Sequence, residues 1–179
     1  IIVTVGSVEH HKGHHILIES MKKILQTKDN VNAYIIGKGS LIEDLTLLRD
    51  AYHLGDKIMF VGGEKTPEEV ALWINAADIF VLPSLKEGNP TVMFESLACG
   101  KPFVGTSVGG IPDVIISPDY GLLCKPGSVT DLTDKILVTL DKEWDHEKII
   151  QYAEKFTWEK IAGEVNDIVK KLLSDNQKK

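Results

Sequence analysis

Apolar and polar positions fall in blocks along the chain rather than alternating residue by residue. Short apolar runs recur at Ile1–Gly6, Val31–Gly37, Ile58–Val61, Asp78–Pro83, Pro102–Thr106 and Leu122–Lys125. Runs of this length predict strands buried on both faces. Between them lie stretches of helical period. His14–Gln26 sets Ile16, Leu17, Met21, Ile24 and Leu25 on one face, and Leu41–Tyr52 turns Leu45 and Leu48 inward. Thr66-Pro67-Glu68-Glu69 reads as a helix start, with an N-cap, a proline at the first position and acids in the first turn. Thr91–Cys99 reads as a helix closed by Gly100, and Pro112–Ile116 as a short one. Further helices are expected at Val129–Leu140, Asp145–Lys155 and Trp158–Leu173, before a polar end, Ser174 to Lys179, that should fray.

Six such strands separated by helices predict an α/β fold: a Rossmann-like doubly wound parallel sheet with helices on both faces. It would occupy residues 1–140, with residues 141–179 a C-terminal helical extension of the same domain. The chain opens inside its own first core strand, without a starting methionine or a signal-peptide n-region, so it is expected to be a piece of something longer.

Composition narrows the class. With 43% hydrophobic and 26% charged residues the chain is globular, not disordered. No apolar run approaches the ~18 residues of a membrane span. A net charge of −6, spread along the chain, argues against a nucleic-acid partner. Arg49 is the only arginine, so a bound phosphate must be held by backbone N–H groups, hydroxyls and lysines. Two cysteines, Cys99 and Cys124, form neither a disulfide framework nor a metal knuckle, which fits a reducing cytoplasmic setting.

Ligands of open parallel sheets bind beyond the carboxyl ends of the strands, so the loops there carry the candidate chemistry. After the first strand, Gly6 and Gly13 frame a loop in which Lys12 stands just before a helix N-terminus, where an anion would meet N–H groups and an ammonium. From this loop alone an ordinary strand–helix turn with a solvated lysine is the favoured reading, because the glycine spacing is not a specific pattern. After the fourth strand, Asn89 is placed as N-cap with Pro90 at the first helical position. The N–H groups of Thr91 and Val92 would then suit a phosphate. Glu87 precedes this spot, and Glu95 lies one turn into the helix on the face of Thr91. Two carboxylates beside an anion site suit sugar hydroxyls, as in a nucleotide diphosphate sugar. The bland alternative is a solvated Glu87 and a Glu95 that only favours its helix N-terminus. Gly109-Gly110 permits positive φ and close backbone approach to a ligand. His10/His14 and His11/His15 have i,i+4 spacing, but no carboxylate or cysteine set accompanies them and no metal site is expected.

VGSVEHHKGHHILIESM, IIGKGS, NAADIFVLPSLKEGNPTVMFESLACGKPFVGTSVGGIPDVI and FTWEKI follow one another over nearly the whole chain. Together they resemble the C-terminal, donor-binding half of retaining GT-B fold glycosyltransferases of family 4. The most specific element is Glu-x7-Glu, from Glu87 to Glu95. The resemblance implies that Glu87 stands near the hydroxyls of the transferred sugar and that Glu95 clamps the ribose. It implies that backbone amides from Gly88 through Asn89 and Pro90 to Thr91 meet the pyrophosphate and sugar. Lys12 would neutralise phosphates, so Glu87 and Lys12 are the catalytic candidates. Gly6 and Ser7 would complete the donor site, with the base near Lys38-Gly39 and Val61-Gly62. The leaving diphosphate would be stabilised electrostatically, with no cofactor and no obligate metal.

The implied activity is transfer, with retention, from a nucleotide diphosphate sugar to a saccharide or lipid-linked acceptor. The acceptor would be held by an N-terminal domain absent here, onto which the FTWEKI helix packs. The resemblance admits peripheral membrane contact of the full-length protein. One position departs: Ser7 stands where many members carry an arginine. A nucleotide-sugar epimerase of the same fold and a non-catalytic binding module are the competing readings.

Overall fold

The computed structural model describes residues 1–63 and 65–176, with side chains as far as Leu173. Six strands form one sheet: β1 (Ile2–Val5), β2 (Ala33–Ile36), β3 (Ile58–Val61), β4 (Ile79–Leu82), β5 (Phe103–Thr106) and β6 (Gly121–Cys124). All pairings are parallel and the order is β3-β2-β1-β4-β5-β6. The helices are α1 (His14–Ile24), α2 (Ile42–Ala51), α3 (Pro67–Ala76), α4 (Thr91–Ala98), α5 (Ile111–Val114), α6 (Val129–Asp141), α7 (His146–Ala153) and α8 (Trp158–Asn176).

Period-two side-chain placement sorts the sheet into two cores. Ile2, Ala33, Ile35, Ile79, Val81 and Val104 face α1, α2 and α6. Val3, Ile36, Phe80, Leu82 and Phe103 face α3, α4, α5 and α7. Both faces are therefore apolar, which is why the strands carry no polar alternation. The double winding follows from chirality: right-handed crossovers leading away from β1 toward β3 and from β4 toward β6 lie on opposite faces. The expected α/β, doubly wound sheet is the fold observed.

Local chemistry sets the helix ends. The predicted start of α3 is a full capping box: Thr66 Oγ1 accepts from Glu69 N at 3.3 Å, and Glu69 Oε2 accepts from Thr66 N at 2.8 Å. Ser128 caps α6 by accepting from Asp131 N at 3.2 Å. Gly100, at φ 68°, ends α4 as predicted.

The C-terminal extension divides in its packing. Ile149, Tyr152 and Ala153 of α7 are buried in the second core. All the described side chains of α8 are exposed, and its apolar stripe, Trp158, Ile161, Val165, Ile168 and Leu172, is uncovered. Of the end expected to fray, Ser174 to Asn176 continue α8, and 177–179 lie outside the described residues. Among the described residues no helix is long and apolar enough to cross a membrane.

Candidate functional site

β1 lies between β2 and β4, so the loops after β1 and β4 leave toward opposite faces and open a crevice. The crevice holds two adjoining lobes. One, about 360 Å³, is lined by Val5, Gly6, Lys12, Lys65, Val70, Pro90, Thr91, Val92 and Glu95. The other, about 380 Å³, is lined by Gly6, Ser7, Gly37, Lys38, Gly63 and Lys65 among others. A larger concavity of about 680 Å³, bounded by Ile1, Asp78, Lys101 and Trp144, lies at the opposite end of the strands. It holds none of the predicted residues. The crevice is the candidate site because helix N-termini and loop amides converge at that end of the sheet.

Lys12 and Glu87, 75 residues apart, meet there: Lys12 Nζ donates to Glu87 Oε1 at 2.7 Å. Ser84 Oγ donates to the same oxygen at 2.7 Å. The side chains of Lys12 and Glu87 are only 17% and 8% exposed, so neither is a solvated surface group. Lys12 closes a one-turn 3-10 helix, His10–Lys12, that apolar periodicity does not reveal. Gly13 follows at φ 68° and touches the β4 end so closely that a Cβ would lie 2.1 Å from the Pro83 carbonyl oxygen.

The loops are joined by hydrogen bonds. Glu9 accepts from Ser40 N at 2.8 Å and from Ser40 Oγ at 2.7 Å, which holds its carboxyl below the usual glutamate range. Leu85 N donates to His11 O at 2.7 Å, and Gly110 N to Gly88 O at 2.7 Å. Thr106 Oγ1 donates to Ser84 O at 2.5 Å. The close approach expected at Gly109-Gly110 is made to the chain's own loop. Gly109 has φ 55°, and a Cβ there would lie 2.4 Å from Glu87 O.

This packing corrects the predicted start of α4. Asn89 is not the N-cap: Pro90 holds that position, extended at φ −70° and ψ 118°, and α4 begins at Thr91. The residue before a proline avoids helical backbone, and the Gly109-Gly110 turn against Glu87 to Asn89 keeps the loop extended through Pro90. The N–H groups of Thr91 and Val92, in the first turn, have no acceptor within the helix. Glu95 lines the same lobe. Among the described residues nothing donates to its carboxylate, and burial holds its carboxyl above the usual glutamate range.

Gly6, Ser7, Lys12, Lys38, Pro90, Thr91 and Glu95 thus line the crevice, and Glu87 is bound to it through Lys12. Gly88 and Asn89 are exposed at its rim, and Gly63 rather than Gly62 faces the second lobe. Lys65, absent from the sequence-based candidates, lines both lobes. Its signal was the one used for Lys12: a lysine beyond a strand end and immediately before a helix N-cap.

The histidines are divided. His14 is 1% exposed, with Nε2 3.3 Å from Ser7 O, and Nδ1 has no partner among the described residues. Burial depresses its pKa from 6.5 to about 4. His10 stacks on His15 at 5.3 Å. Among the described residues no group of three or more His, Cys, Asp or Glu side chains is placed to hold a metal. Arg49 is pinned away from the crevice, donating to Asp50 Oδ1 at 2.8 Å and to Ile58 O at 3.3 Å.

Sheet order, crossovers and crevice together define a Rossmann-like α/β domain with a ligand cleft at its switch point. The chain matches the family glycosyl transferases group 1 over residues 1–156, and it belongs to that family. It is 30% identical over 177 residues to N-acetyl-alpha-D-glucosaminyl L-malate synthase of Bacillus anthracis, covering 89% of this chain and 46% of that protein. The sucrose-phosphate synthase of Thermosynechococcus elongatus superposes with a TM-score of 0.83 at 27% identity, covering 97% of this chain and 46% of the other. HepE of Anabaena, solved in complex with UDP, shares the fold at a TM-score of 0.79 and 21% identity, covering 97% and 48%. The chain spans about half the length of the relatives it matches. The resemblance seen in the sequence therefore holds for family and for fold.

Proposed function

We propose that the chain is the donor-binding half of a glycosyltransferase that moves a sugar, with retention, from a nucleotide diphosphate sugar to a saccharide or lipid-linked acceptor. The observation that carries this reading is the convergence in one crevice of the Lys12–Glu87 pair, the first amides of α4 and the Glu95 carboxylate, unpaired among the described residues. The amides of Thr91 and Val92 and the Lys12 ammonium face developing negative charge on the departing diphosphate, the protein's main contribution to the rate. This electrostatic device needs no obligate metal. Glu87, fixed by Lys12 and Ser84, orients hydroxyls of the transferred sugar, and Glu95 accepts from the ribose. The UDP bound by the Anabaena relative supports a nucleoside diphosphate ligand.

The acceptor is held by a second half outside this chain, and the uncovered stripe of α8 is assigned to contact with that half. We place the protein in the cytoplasm, where Cys99 and Cys124 stay reduced.

The test is a thermal-shift series on this chain with UDP, ADP, GDP and their sugars. A ligand at ~100 times its dissociation constant should stabilise the fold by about 2.7 kcal/mol. With donor and acceptors together, mass spectrometry should find no multiple-turnover product from this half alone. Orienting both substrates is worth ~7–11 kcal/mol, and one half cannot supply it. A flat response to every nucleotide would refute the donor site, and turnover by this chain would refute the two-half reading.

A further inference from the structure

Resting on the reading of the crevice as a nucleoside diphosphate site, we infer that Lys65 is a diphosphate-binding residue and supplies the cation that offsets Glu95 there. The sequence directs attention to Lys12, which can donate to the diphosphate but brings no net charge, because it is paired. Its ammonium lies 2.7 Å from Glu87 Oε1, in a pair largely removed from water, and the two charges cancel at any distance beyond their own size. Glu95, on the wall of the same lobe, adds a negative charge that no cation pairs among the described residues. Without a further cation, the crevice would present a neutral pair and a carboxylate to a ligand that carries several negative charges.

Lys65 resolves this. It lines both lobes, together with Val5, Gly6 and Val70, and is the one charged residue among those four. Among the described residues no ion pair or hydrogen bond engages its ammonium. Its anchor is firm: the next residue, Thr66, is locked by the capping box at the start of α3. Lys65 therefore stands across the crevice from the Gly6–Lys12 loop and the α4 amides, with a flexible stem and a free point charge. The other candidates are occupied: Arg49 is pinned on Asp50 and Ile58, and Lys38 has a partner of its own.

The test is calorimetric titration of the whole 179-residue chain. UDP, ADP and GDP are titrated first, and the tightest is compared with its bare nucleoside. Lys65→Met should weaken the diphosphate about ten-fold, the loss of one charged hydrogen bond, and leave the nucleoside unchanged. The loss should shrink at high salt, and Lys65→Arg should restore most of the affinity. Melting of both variants should match the parent, since Lys65 has no partner to lose among the described residues. Unchanged diphosphate affinity in Lys65→Met, with the parent binding normally, would overturn this inference and leave the donor site standing. Failure of the parent to bind any of the three would overturn the donor site and this inference with it.

Discussion

His14 makes the chain's stability depend on pH in a calculable way. Its ring is buried at the first turn of α1, and the folded chain stores it neutral, with a pKa of about 4 instead of 6.5. The unfolded chain takes up the proton at the ordinary value. The stabilisation is therefore complete above pH 6.5, is lost as pH falls toward about 4, and is constant below both values. At ~1.4 kcal/mol for each pH unit, the full gap is worth about 3 kcal/mol, of which about 2 is already gone at pH 5. That is a large share of the ~5–15 kcal/mol that holds a domain folded. The comparison is urea denaturation of the parent and His14→Gln from about pH 7.5 to about pH 4.5. The glutamine amide can still donate to Ser7 O but cannot take a charge. Any packing cost of the substitution is constant, and the other titrating groups are common to both proteins. The stability difference should therefore move in favour of His14→Gln as the pH falls. Parallel curves across the whole range would show that the ring is not held neutral by its surroundings.

Gly109→Ala should destabilise the fold by ~1–2 kcal/mol from its left-handed backbone alone, with the clash against Glu87 O added. It should also weaken nucleotide binding by moving the Glu87–Gly88 loop. Gly88→Ala is the control: a Cβ there meets nothing within 4 Å, and chemical denaturation should find it near the parent. Glu95 has its pKa raised by burial, so its charged form works against folding: the penalty is full above the raised value and is lost as pH falls from there to the ordinary glutamate value. Glu95→Gln should accordingly be slightly more stable than the parent at neutral pH while binding nucleotide less well. The parent's affinity should itself decline as Glu95 takes up its proton, and a pH-independent affinity would rule out the ribose contact.

Secondary structure was readable where one physical cause acts alone. Six apolar runs gave six strands, because a sheet covered on both faces selects apolar residues at every position. Thr66 and Gly100 marked helix ends because the capping chemistry is local. The failures come from contacts distant in sequence. Asn89 carries the right side chain for an N-cap, but the turn at Gly109-Gly110, twenty residues on, decides the backbone there. The tight turn of His10–Lys12 has no apolar period to announce it. Glu87 and Lys12 were each legible as candidates, but their mutual pairing was not, since nothing local in either loop records a partner 75 residues away. Lys65 was legible in principle by the logic applied to Lys12. With no glycine on its helix side, as Gly13 stands beside Lys12, it did not stand out.

The hydrogen bonds between loops have a consequence for how this site recognises anything. From Ser40 through Glu9 to His11, and from His11 through Leu85, four separate excursions of the chain are linked into one rim that continues across Gly88 to Gly110. Loose loops would each have to be frozen on binding, at ~1–2 kcal/mol for every residue ordered. Here that ordering belongs to folding, so little of a ligand's binding energy goes to arranging backbone. The rim then works as a fixed frame on which side chains can be exchanged. A serine at position 7 changes what the frame attracts without changing its shape, so one scaffold can be retuned from one ligand to another by single residues.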